Sequence, residues 1–151
     1  MSVGNEFNLM DDNFKKFCDK IDIRTLQPLA LAYVGDAYFH LFVRTKLLVY
    51  KYKVNDLNNL SSKIVSAVYQ SKAYHEIEDM LTEDEKYFFK RGRNAKSRSS
   101  HSATTTEYHN STGFEALLGV LFLKSDYTRL NEIAEAAFNS AINDIIEARN
   151  S

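Results

Sequence analysis

The stretch from Pro28 to about Val49 limits what this chain can become more than any other part of it. Proline suits the first turn of a helix, where its missing N–H is no loss. The residues after it are apolar on nearly every side, which predicts a helix buried at the centre of the fold. The rest of the sequence agrees with a helical protein. One proline and five glycines in 151 residues are too few to turn the corners of a sheet, so the expected fold class is all-α.

Residues 1–25 are polar with scattered apolar anchors and predict a short helix and a tether, an extension ahead of one domain spanning 26–151. Asn55 or Asp56 is placed to cap a helix whose apolar residues Leu57, Leu60, Ile64, Val68, Tyr74 and Ile77 keep mostly three-and-four spacing. Thr82 and Glu85 spell a capping box for the next helix, with Gly92 as its stop. Residues 93–110 have no apolar periodicity and read as a loop. Ser111-Thr112 then starts a helix running through Phe122, and Leu130, Ile133, Ala137, Ala141 and Ile145 share one face of a last one.

Composition excludes several function classes. The single cysteine, Cys18, has no partner for an internal disulfide or a Cys-pair metal site. The N-terminus lacks the basic-then-apolar pattern of a secretory signal. Asp36 and His40 interrupt the apolar stretch Leu29–Val43, which is also too short to span a bilayer, so no membrane partner and a reducing cytoplasmic setting are expected. Net charge is −1, yet Lys86, Lys90, Arg91, Arg93, Lys96 and Arg98 fall between Lys86 and Thr106 with no acidic residue among them. A nearly neutral protein thus presents one strongly basic arm.

Two carboxylates stand in unusual company. Asp36 lies among Tyr33, Val34, Ala37, Tyr38 and Phe39, where an ionised group costs several kcal/mol unless it is paired or bound to a cation. Gly35 beside it lowers helix propensity by about 1 kcal/mol, a concession that suits close approach of a backbone or a ligand. A salt bridge to a lysine or arginine accounts for Asp36 as well as a ligand role does. Glu115 is the second carboxylate. Thr112 and Glu115 together make another capping-box pattern, and on local grounds a helix cap explains Glu115 best. His40 shares the helical face of Asp36, four residues on. No histidine is followed by aspartate, and no Gly-rich phosphate loop or Ser-His-Asp set occurs, so covalent catalysis is not expected.

The run Arg91-Gly92-Arg93-Asn94-Ala95-Lys96-Ser97-Arg98 either forms a solvated loop or meets a polyanion. Aromatic residues do not alternate with its cations, which favours phosphate contacts along a duplex over base stacking on a single strand.

Three segments together resemble the Mini-ribonuclease III family, short bacterial relatives of ribonuclease III without the separate double-stranded-RNA-binding domain. They are Leu29-Ala30-Leu31-Ala32-Tyr33-Val34-Gly35-Asp36-Ala37, Arg91-Gly92-Arg93-Asn94-Ala95-Lys96, and Ser111-Thr112-Gly113-Phe114-Glu115-Ala116-Leu117-Leu118-Gly119. Val65-Ser66-Ala67-Val68-Tyr69-Gln70 agrees less sharply. Where ribonuclease III proper carries two further carboxylates, this chain has Ala32 and Thr112, the reduced pattern of the Mini enzymes. His40 stands where the wider family has an acidic or polar residue.

The resemblance implies a ribonuclease III-like helical endonuclease domain and a homodimer that cuts double-stranded RNA to leave 5′-phosphates. It implies Mg²⁺, with Mn²⁺ as a substitute, held by Asp36 and Glu115 as the catalytic pair. RNA contacts are expected at Lys63, Gln70, Arg91, Arg93, Asn94, Lys96 and Arg98. Maturation of the 23S ribosomal RNA precursor is the expected role. Two rivals stand beside it: a dimer of the same fold that binds double-stranded RNA without cutting, and a helical dimerisation protein for which the basic run is incidental.

Overall fold

Two threonines begin helices by the same chemistry. The hydroxyl of Thr82 accepts from the N–H of Glu85, and the Glu85 carboxylate accepts the Thr82 N–H in return. Thr104 and Glu107 repeat this reciprocal cap. Each box satisfies two N–H groups that a helix start otherwise leaves without partners. The computed structural model describes residues 10–95 and 104–150, and in them the order is α1 Asp12–Cys18, α2 Pro28–Leu47, α3 Val54–Ile64, α4 Ala67–Ile77, α5 Glu83–Arg93, α6 Thr105–Leu123 and α7 Tyr127–Asn150. The fold is all-α, as expected.

Three local expectations are corrected. The segment from Leu57 to Ile77 is two helices, because Ser66 takes an extended backbone and its hydroxyl accepts from the Tyr69 N–H to cap α4. Helix α3 starts behind Lys53 without a side-chain cap, so neither Asn55 nor Asp56 caps it. Helix α6 begins at Thr105, six residues earlier than Ser111, at the Thr104 box. Thr112 therefore lies inside a helix, with its hydroxyl donating to the Tyr108 carbonyl at 3.1 Å.

Helix α6, not α2, is the central element. It buries 12 of its 19 residues against α2, α4, α5 and α7. One face of α2 (Leu31, Ala32, Gly35, Phe39, Val43 and Leu47) packs inward, while Tyr33 and Leu41 on its other side are 81% and 61% exposed. Apolar residues thus lie on both sides of this helix, and the described residues cover one of them. The core joins the inner face of α2 to Phe114, Leu117, Leu118 and Leu121 of α6 and to the Leu130–Ile145 stripe of α7. A smaller cluster receives Cys18 at the end of α1, with Leu31, Phe88 and Val120.

Glycine sets the crossing of α2 and α6. A Cβ on Gly35 would overlap the Glu115 carbonyl oxygen and come within 2.8 Å of the Gly119 nitrogen. A Cβ on Gly119 would overlap the Leu31 carbonyl oxygen. Gly92 has the same use against α6: it closes on Gly113 and Ala116 inside α5, so it is a contact point and not the expected helix stop.

Helix α7 is tied back through Arg129, whose Nε and Nη2 each reach the Glu85 carboxylate at 2.8 Å. Burial would raise the Glu85 carboxyl, but hydrogen bonds from Arg129 and the Thr82 backbone outweigh it, and the group is held below its ordinary 4.5.

On an exposed helix, Gly→Ala gains about 1 kcal/mol. At Gly119 the sign should reverse: Gly119→Ala forces two backbones apart and should cost about 3 kcal/mol, the upper part of the overpacking range. For a domain of this size that lowers Tm by about 6–12 °C, readable by circular dichroism. An unchanged or raised Tm would show that the crossing tolerates a methyl group.

Candidate active site

The glycine crossing decides where two acidic side chains meet. Asp36 follows Gly35 on α2, and Glu115 is the α6 residue whose carbonyl lies against Gly35. The Asp36 carboxyl is near enough to raise that of Glu115 through hydrogen bonding and charge, so two residues far apart in sequence occupy one site. Asp36 keeps about half of its side chain open to solvent, at 51%, and its Oδ1 lies 3.1 Å from His40 Nε2 on the next turn. No lysine or arginine pairs with Asp36 among the described residues, where the basic side chain beside it is His40. Glu115 is partly buried in the middle of α6, which removes the cap reading. The Thr104-to-Glu107 box could have located the true helix start from sequence, since it has the same S/T-x-x-E spacing.

Glu115 is electrostatically unusual. Burial comes first, then the hydrogen bond and charge of Asp36, and together they push its carboxyl up to about 9. A hydrogen bond from Gln70 Nε2 to Glu115 Oε2, at 3.3 Å, acts in the opposite direction. Two carboxyls this close cannot both ionise freely in the absence of a cation.

The donor set fits one kind of ion. Asp36 and Glu115 supply oxygen, and no group of three His, Cys, Asp or Glu residues is assembled to hold a metal among the described residues. That excludes a closed tetrahedral zinc site there. It suits Mg²⁺ or Mn²⁺, which accept carboxylate oxygen and retain several waters.

The expected RNA contacts divide. Lys63 is exposed near the end of α3, with its ammonium 5.8 Å from the centre of the Tyr69 ring. Arg93 lies in the last turn of α5, over the Phe89 ring, and Asn94 is exposed at the cap of that helix. Arg91 turns inward, donating from Nη2 to the Leu26 carbonyl at 2.9 Å. Gln70 is 1% exposed. Lys96 and Arg98 lie outside the described residues. Lys90, which the basic count included without a role, lines a groove of about 640 Å³ with Gln27, Pro28, Arg91 and Asn94.

Residues 29–126, the span that holds both carboxyls, match the ribonuclease III domain family. The Mini-ribonuclease 3 of Symbiobacterium thermophilum is 46% identical over 115 residues, covering 75% of this chain and 88% of that protein. That of Staphylococcus aureus is 37% identical over 129 residues, covering 83% and 93%. The chain belongs to the Mini-ribonuclease III family. A crystal structure of a protein from Fusobacterium nucleatum has the same fold, with a TM-score of 0.70 at 32% identity over 85% of this chain and 98% of that one. In this member of the Mini-ribonuclease III family, α2 and α6 bring Asp36 and Glu115 together.

The raised Glu115 carboxyl has a stability consequence in metal-free buffer. A folded value above the unfolded 4.5 contributes stability that is fully present below the unfolded value and lost as pH climbs toward about 9. Glu85 has the opposite sign and acts only below its ordinary 4.5. In EDTA, Tm should therefore fall between about pH 5 and about pH 8 in the wild type. Glu115→Gln should remove that slope and melt above the wild type at about pH 8. Parallel wild-type and variant curves would mean that the carboxyl pair is not strained.

Proposed function

We propose that this protein is a divalent-metal-dependent endoribonuclease that cleaves double-stranded RNA as a homodimer. The proposed role is maturation of the 23S ribosomal RNA precursor in the cytoplasm, with Mg²⁺ as the ion and Mn²⁺ as a substitute. The observation that carries this reading is the contact between Asp36 and Glu115, two carboxyls that have no structural use for each other. Family membership supports an RNA substrate and a phosphodiester-cleaving reaction.

Asp36 and Glu115 would hold the ion. When bound, it neutralises charge on the phosphodiester and makes a water more acidic. The water oxygen attaches to phosphorus as the P–O3′ bond breaks, its proton passes to the departing 3′ oxygen, and the other product keeps a 5′-phosphate. His40 lies within hydrogen-bond distance of Asp36 Oδ1 and steadies that carboxylate. Lys63, Arg93 and Asn94, together with Lys96 and Arg98, would grip backbone phosphates. Such contacts orient a duplex without reading its sequence.

The unfilled side of α2 supports a second copy of this chain as partner. Tyr33, Val34, Ala37, Tyr38, Leu41 and Phe122 line an apolar groove of about 680 Å³ that also reaches Asp36. Exposed apolar surface of this kind marks an interface. Closing it would shield the site on one side and leave the cations to meet RNA.

The test is purified protein with long duplex RNA, in Mg²⁺ or in EDTA. Wild type should cut only with the ion, and Asp36→Asn should fall to the EDTA background while still binding duplex. Wild type that binds but never cuts would favour the non-cleaving dimer instead.

The dimer has its own check. Leu41→Asp puts a charge on the exposed face without touching the inner one, so it should sediment as a 17.3 kDa monomer with native helicity, against a dimer for wild type. Equal masses for the two proteins would move the interface elsewhere.

A further inference from the structure

Gln70 is expected from sequence to touch RNA, but its surroundings suit other work. It lies in α4, 1% exposed, behind Glu115. Its Nε2 donates to the Val65 carbonyl at 2.9 Å and to Glu115 Oε2 at 3.3 Å. The orientation of the amide is fixed by chemistry, because a backbone carbonyl only accepts. Nitrogen must face Val65, and its second N–H is then directed at Glu115. The remaining atom, Oε1, is buried with no hydrogen-bond partner among the described residues. Leaving a buried carbonyl unsatisfied costs about 1–3 kcal/mol, so a residue kept here for packing alone would be apolar.

We propose that Gln70 is a positioning residue for Glu115, holding that carboxylate beside Asp36 in the orientation that receives the divalent ion. The inference rests on the proposed metal site at Asp36 and Glu115. A neutral donor is what the task requires. It orients the carboxylate and favours its charged form, yet it brings no positive charge to compete with the cation, as lysine or arginine would. The anchor on the other side, the Val65 carbonyl, is available because the chain breaks between α3 and α4 at Ser66. The interruption of the helix thus serves the site.

The experiment compares wild type with Gln70→Met, which keeps an unbranched side chain of similar size, and with Gln70→Leu as a second packing control. Mn²⁺ binding is followed by water proton relaxation, binding of a labelled RNA duplex in EDTA by fluorescence anisotropy, and folding by circular dichroism. Gln70→Met should bind Mn²⁺ about 10-fold more weakly or worse, the usual loss when a partner of a metal ligand is removed. Its duplex affinity should stay within about twofold, the insensitivity expected of a side chain that makes no phosphate contact, and helicity should be native. Unchanged Mn²⁺ affinity in the variants overturns the proposal. Duplex affinity lost with Mn²⁺ affinity retained restores Gln70 as an RNA contact and also overturns it. Loss of helicity in both variants makes Gln70 a core residue and overturns it too. Wild type that binds no Mn²⁺ overturns the metal reading itself, and this inference with it.

Discussion

The backbone contact between α2 and α6 is the constraint on which the rest depends. Two glycines, Gly35 and Gly119, let the helices approach until each Cα faces the other helix's main chain. Side chains normally keep helix axes 8–10 Å apart, with a layer of contacts between them. Removing that layer at one point brings the flanking positions, 36 and 115, into reach of each other. The same closeness seats Phe39 against Phe114 edge to face, with ring centroids 5.4 Å apart, so core packing and the acidic site arise from one geometry.

Where sequence signals were local and had one reading, the fold was legible. Pro28 opened its helix, the Thr82 box opened α5, and the Leu130–Ile145 stripe of α7 is buried along its length. The failures came where two signals competed. Ser66 sits within a three-and-four pattern that continues across it, so periodicity hid a cap. Thr112 and Glu115 copied a capping box inside α6, whose first turns, Glu107 to Ser111, are too polar to show a helical stripe. Apolar residues around α2 suggested complete burial, because a sequence does not say whether the second face meets its own chain or another surface.

The site was legible in part for the same reason. Asp36 stood out locally, since an acid in an apolar helix demands compensation. Glu115 did not, and only resemblance to a family paired it with Asp36. That pairing needs tertiary structure, because nothing in the spacing of residues 36 and 115 brings them together. The basic run was visible as charge, but its partners were not, for Arg91 meets the Leu26 carbonyl and Arg93 lies over the Phe89 ring.

Both acidic residues belong to helix interiors, and α6 is the most buried element among those described. Local openings that free loops and termini at little cost in energy do not reach such a place. To separate the two backbones that carry the carboxyls, the molecule must undo the crossing itself. The placement of the two acidic positions therefore lasts as long as the helix crossing does and is lost with it.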